Sequence, residues 1–114
     1  FVTKKVLENR SNALIINIAS TAAFNAYSNW SSYCASKAGL VTLTKCLAND
    51  NYNAYVLCPG AVNTKFRAGL GLDNSNAMEA TEVVSQLQNI LDGQYQSGDV
   101  IFFRKNEVSI NPRF

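Results

Sequence analysis

Histidine is missing from all 114 residues, and no other absence removes as much chemistry. A Ser-His-Asp triad, a Cys-His pair and a histidine-bound metal are excluded within the chain. Proton transfer near neutral pH is left to tyrosine, lysine, cysteine or carboxylates. Cysteine is scarce as well. Cys34, Cys46 and Cys58 are odd in number and never two residues apart, which supports neither a disulfide framework nor a zinc site and fits a reducing, cytoplasmic compartment. Charge of one sign is lacking: a net +2 is too small to point to a nucleic acid or a membrane surface. No apolar run approaches a membrane span. Lys4, Lys5, Glu8 and Arg10 stand where a signal peptide needs an apolar core. No methionine opens the chain, so it is expected to begin in the middle of something longer.

A G-x-G-x-x-G sequence is also absent. "GLGLDN" (69–74) has two glycines but follows a loop and not a strand, so it is read as a flexible substrate lid. What the chain does have is an apolar fraction of 47% against 16% charged, which suits a folded globular domain and argues against disorder.

Along the chain, "VTKKVLEN" (2–9) reads as the tail of an amphipathic helix, with Val2, Val6 and Leu7 on one side. "ALIINIAS" (13–20) is nearly unbroken apolar, as strands buried on both faces of a parallel sheet are. Residues 21–29 read as a loop. Residues 31–48 read as a helix with Ala38, Val41 and Cys46 on one side and Leu40, Leu43 and Leu47 on a second, so burial on two sides is expected. "AYVLC" (54–58) is a second strand, stopped by Pro59-Gly60. "ATEVVSQLQNIL" (80–91) is a helix that Thr81 can cap and Gly93 ends, and "GDVIFF" (98–103) is a third strand. This alternation predicts an α/β, doubly wound parallel sheet with three strands and flanking helices. Three strands are few, and the first needs a neighbour to cover its edge. The chain therefore reads as the C-terminal half of a larger domain. The terminal "RKNEVSINPRF" is assigned no chemistry.

"WSSYCASKAGL" (30–40) places Tyr33 and Lys37 four residues apart among small neighbours. On a helix those side chains share a face. A free phenol titrates near 10, and a fixed ammonium beside it favours the phenolate. The pair is then a tunable acid/base that needs no histidine. The alternative is a lysine stem lying along a ring on a solvated surface. Ser20 closes the first strand at the edge where open α/β sheets bind ligands, and Pro59-Gly60 breaks the next strand at the same edge.

Taken in order, "IINIAS", "YCASKAGL" and "CPGAVNT" resemble the second half of the short-chain dehydrogenase/reductase family. The spacing from Ser20 to Tyr33 to Lys37 matches that family's catalytic pattern, and the likeness runs from about Val2 to Phe103. The resemblance implies a Rossmann-like fold, a hydride exchanged between NAD or NADP and a small carbonyl or alcohol substrate, and a homodimer or homotetramer paired through helix 31–48. It implies that Tyr33 is the general acid or base and that Lys37 lowers its pKa and bonds the nicotinamide ribose. Ser20 would donate to the substrate oxygen. The backbone of Val62, with Pro59, Gly60 and Thr64 around it, would hold the nicotinamide. Phe24, Tyr27 and Trp30 would either line a substrate pocket or simply pack. The family's phosphate cradle and its catalytic asparagine have no counterpart here, since Asn12 and Asn17 sit in the wrong place. "LANDNYNAYVLCPG" (47–60) is short by about one helical turn. A non-catalytic nucleotide-binding module and an oligomerisation surface are the competing expectations.

Overall fold

Asn53–Pro59 forms the strand on which the fold is assembled, and six of its residues are buried. Apolar side chains on both faces can be satisfied only if the strand is sandwiched between two layers. The computed structural model, which describes residues 2–9, 12–63 and 77–113, shows that arrangement. Calling this strand β2, β1 (Leu14–Ile18) pairs parallel on one side with Ile16 opposite Tyr55, and β3 (Val100–Arg104) pairs parallel on the other with Ile101 opposite Leu57. The helix α1 (Val2–Asn9) precedes β1, α2 (Ser31–Asn49) crosses from β1 to β2, and α3 (Ala80–Leu91) lies between β2 and β3. Alternation along β2 then divides the core. Val56 and Cys58 pack with Val41, Val100 and Phe102. Tyr55 and Leu57 pack with Met78, Ile90, Ile101 and Phe103.

Among the described residues the sheet has four strands, in the order β1-β2-β3-β4, not the three expected. Glu107–Ile110 is β4, antiparallel to β3. Lys105 and Asn106 make the tight turn, with Asn106 at φ 65°, a conformation asparagine tolerates better than most residues. Asn111 fastens the far end: its Oδ1 accepts the Val100 N–H at 2.8 Å and its own N–H donates to the Val100 carbonyl at 2.8 Å.

Other boundaries shift for local reasons. Thr21–Phe24 is a 3-10 turn where a loop is expected, because the Ser20 Oγ accepts the Ala22 N–H at 3.1 Å and starts it. Glu79, not Thr81, caps α3, in a reciprocal capping box with Glu82. Gly93, at φ 78°, follows its last turn as expected. The short step after α2 is a tightened connection: Asn51 sits at φ 69°, its N–H donates to the Ala48 carbonyl, and the Tyr52 N–H donates to that of Leu47. Among the described residues α2 is covered on one side only. Val41 and Thr44 are buried while Leu43 and Cys46 are exposed, so the expected second burial is not met by these residues. Among the described residues no helix is long and apolar enough to cross a membrane.

Candidate active site

Parallel strands carry their carbonyl ends in one direction, and α2, returning antiparallel to them, brings its first turns to that same edge. Lys37 is held there. Its Nζ donates to the carbonyl of Ile18, the last residue of β1, at 3.3 Å. It also lies 5.6 Å from the centre of the Tyr33 ring, one helical turn away as the i, i+4 spacing requires. The Tyr33 hydroxyl has no hydrogen-bond partner among the described residues, and the ring is 44% exposed, so the hydroxyl is open to a ligand. Two of the three ammonium protons of Lys37 are likewise uncommitted there.

Ser20 stands two residues past β1. Its hydroxyl oxygen accepts from Ala22, which leaves its own proton to donate elsewhere. The Ser20 backbone and the Lys37 charge both act on a group that the sequence marked only as an unpaired cysteine. The Cys58 side chain is fully buried, and burial pushes its thiol up to about 11, against the opposing pull of the Ser20 backbone N–H and the Lys37 charge. A thiol so placed stays neutral at pH 7 and leaves the ammonium charge available. Its position one residue before Pro59, on the α2 side of β2, is the signal from which it was findable.

The folded thiol pKa exceeds the ordinary 9.0, so the folded chain holds this proton after the unfolded chain has released it. Stability from this group is intact below pH 9 and is lost as pH rises from 9 towards 11, by about 2–3 kcal/mol in all. Urea unfolding of Cys58→Ala beside the parent across that range should show a flatter alkaline decline in the variant. Equal declines would remove Cys58 as the cause.

Past β2 the chain is tied down at each step. The Gly60 N–H donates to the Phe103 carbonyl at 2.8 Å, and a Cβ on Gly60 would come within 3.4 Å of the Arg104 side chain. Val62 forms a parallel bridge with Met78 in which the Met78 N–H reaches Ala61 and the Asn63 N–H reaches Met78. That pattern spends the neighbours' groups and leaves the Val62 N–H and C=O without a partner among the described residues. A donor and an acceptor aligned on a pinned backbone suit a planar carboxamide. Thr64 and the 69–74 segment expected as a lid lie outside the described residues.

The aromatic residues of the β1–α2 connection divide. Phe24 packs edge to face on Phe102 at 5.7 Å, within the core. Tyr27 and Trp30 remain exposed beside Tyr33. Asn17 is accounted for structurally, since its amide donates to the Thr44 hydroxyl at 2.9 Å.

The fold aligns with 4-hydroxyisoleucine dehydrogenase complexed with NADH at a TM-score of 0.69 and 24% identity, covering 90% of this chain and 49% of that one. It aligns with levodione reductase at 0.71 and 21%, with the same coverage. In sequence, benzil reductase ((S)-benzoin forming) of Bacillus subtilis (strain 168) is 33% identical over 72 residues, which are 58% of this chain and 30% of the relative. Dehydrogenase/reductase SDR family member 4 of Oryctolagus cuniculus is 37% identical over 73 residues, 60% of this chain and 28% of its own. The chain thus spans about half the length of the solved structures, and its match spans less than a third of these curated relatives. The family described as short chain dehydrogenase matches residues 1–75. With that match over more than half its length, the chain belongs to the short-chain dehydrogenase/reductase family.

Proposed function

We propose that residues 1–114 form the C-terminal half of a single NAD(P)-binding domain, and that the protein interconverts a carbonyl compound and its alcohol. The arrangement of Lys37 carries this proposal: one ammonium bonded to the end of β1 and seated beside the Tyr33 ring, whose hydroxyl has no partner among the described residues. The residues fit the nicotinamide end of the cofactor, with Lys37 at the ribose and Pro59, Gly60 and the Val62 backbone at the carboxamide. They do not fit its pyrophosphate, for which the sequence offers no glycine-rich turn. Relatives named as reductases and a dehydrogenase, and a structural neighbour complexed with NADH, support the assignment.

When bound, reduced nicotinamide supplies a hydride to the carbonyl carbon. The chain's own part is the proton and the position. Tyr33 passes its hydroxyl proton to the carbonyl oxygen, so that ketone, hydride and proton balance as alcohol. Ser20 donates to that oxygen while charge develops on it. Lys37 steadies the phenolate left behind, and solvent then restores its proton. Pairing through the exposed side of α2, in a homodimer or homotetramer, belongs to the same proposal.

The test is loss of reduced-nicotinamide absorbance when the polypeptide, as cells make it, meets NADH or NADPH and a panel of ketones. Turnover with any of them is the expected result. Cofactor binding without turnover would instead favour a non-catalytic module.

A further inference from the structure

Three aromatic side chains follow one another at intervals of three: Tyr27, Trp30 and Tyr33. Their rings form a continuous row, Tyr27 to Trp30 at 5.9 Å and 70°, and Trp30 to Tyr33 at 5.8 Å and 83°. Both steps are the edge-to-face geometry that aromatic quadrupoles favour. All three are 44–46% exposed, unlike Phe24 of the same connection, which is partly buried and packs against the core. The row reaches Tyr33, the residue that carries the proposed chemistry.

A local cost accompanies this placement. Trp30 occupies the N-cap of α2 and makes no side-chain cap bond, although serine, threonine, asparagine or aspartate there would stabilise the helix. Asn29 is held at φ 64°, and the Trp30 N–H closes onto the Tyr27 carbonyl at 3.3 Å. The backbone turn thus sets the indole beside the phenol while the cap goes unmade. Sites that break a local rule in this way are where function is to be sought. The neighbours Ala26, Ser28, Ser31 and Ser32 are small and exposed, so nothing bulky crowds the row. The indole N–H and the Tyr27 hydroxyl have no partners among the described residues.

We infer that Tyr27 and Trp30 form a platform that stacks an aromatic ring of the substrate, directing its carbonyl oxygen to Tyr33, so that the substrate class is aryl ketones and aryl carbinols. This rests on the proposed carbonyl chemistry. Aromatic side chains with two rotatable bonds provide contact area at little entropic cost. The discrimination expected between a flat ring and a saturated ring of similar size is about tenfold.

Trp30 is the only tryptophan of residues 1–114, and the part of the fluorescence that Trp30→Phe removes reports on the platform without turnover. Titration of the intact polypeptide with α-methylbenzyl alcohol should change that fluorescence saturably, about tenfold more tightly than the cyclohexyl counterpart, and Tyr27→Ala should erase most of the difference. In turnover, Trp30→Ala should raise KM for acetophenone about tenfold more than it raises KM for cyclohexyl methyl ketone. Equal affinities for the two alcohols, or equal KM changes for the two ketones, would overturn the platform alone. If neither ketone is reduced, the carbonyl assignment falls, and the fluorescence titration decides the platform by itself.

Discussion

Tyr33→Phe is expected to lower kcat for ketone reduction about a thousandfold while KM stays within about threefold. A loss of that size is about 4 kcal/mol of transition-state stabilisation, the scale of a missing positioned proton donor. The variant is well suited to the question because so little else changes. The ring that meets Trp30 at 5.8 Å and lies 5.6 Å from the Lys37 ammonium is retained. The lost hydroxyl has no partner among the described residues, so no donor or acceptor there is orphaned, and unfolding should occur at the denaturant concentration of the parent. The proposed aromatic platform and the proposed Ser20 donor are both kept, which is why the effect should fall on kcat. Steady-state kinetics beside circular dichroism make the measurement. A kcat within a few fold of the parent would mean that another group supplies the proton.

The architecture is legible in the sequence wherever burial is total. A strand covered on both faces has no polar side to show, so "AYVLC" and "VIFF" read directly as β2 and β3. Where burial is partial the signal fades. In β4 only Ser109 is even partly covered, and a short edge strand of mixed polarity resembles a coil until its partner is known. The Tyr33–Lys37 pair is legible because helical periodicity alone makes them neighbours. What anchors Lys37 is not, since its acceptor is a backbone carbonyl nineteen residues upstream and every residue type has one. The same holds for the Val62 backbone, freed by a bridge to Met78, a partner distant in sequence. Cys58 needed both faces of β2 to be assigned before its place on the α2 side, at the Ser20 backbone, could be seen.

Phe103→Ala should cost about 3–5 kcal/mol of stability, a large share of the roughly 5–15 kcal/mol that holds an ordinary domain together. Phe103 is 2% exposed and stands in β3 between Pro59 of β2 and Val108 of β4. Its side chain packs among Leu57, Met78, Ile90 and Ile101, so truncation opens a cavity under α3 that a hydrogen-bonded sheet is poorly able to close. Val108, across the same ladder but exposed, is the internal control: Val108→Ala should stay within about 0.5 kcal/mol. The backbone carbonyl of Phe103 that receives the Gly60 N–H survives truncation of the ring. The Gly60 turn, the proposed nicotinamide end of the site, should therefore keep its geometry in whatever fraction remains folded, with the loss appearing in the urea midpoint and not in KM for the cofactor. A shift below about 1 kcal/mol would show that α3 is held to the sheet by other contacts. A raised cofactor KM at unchanged stability would show instead that the ring itself supports the Gly60 turn.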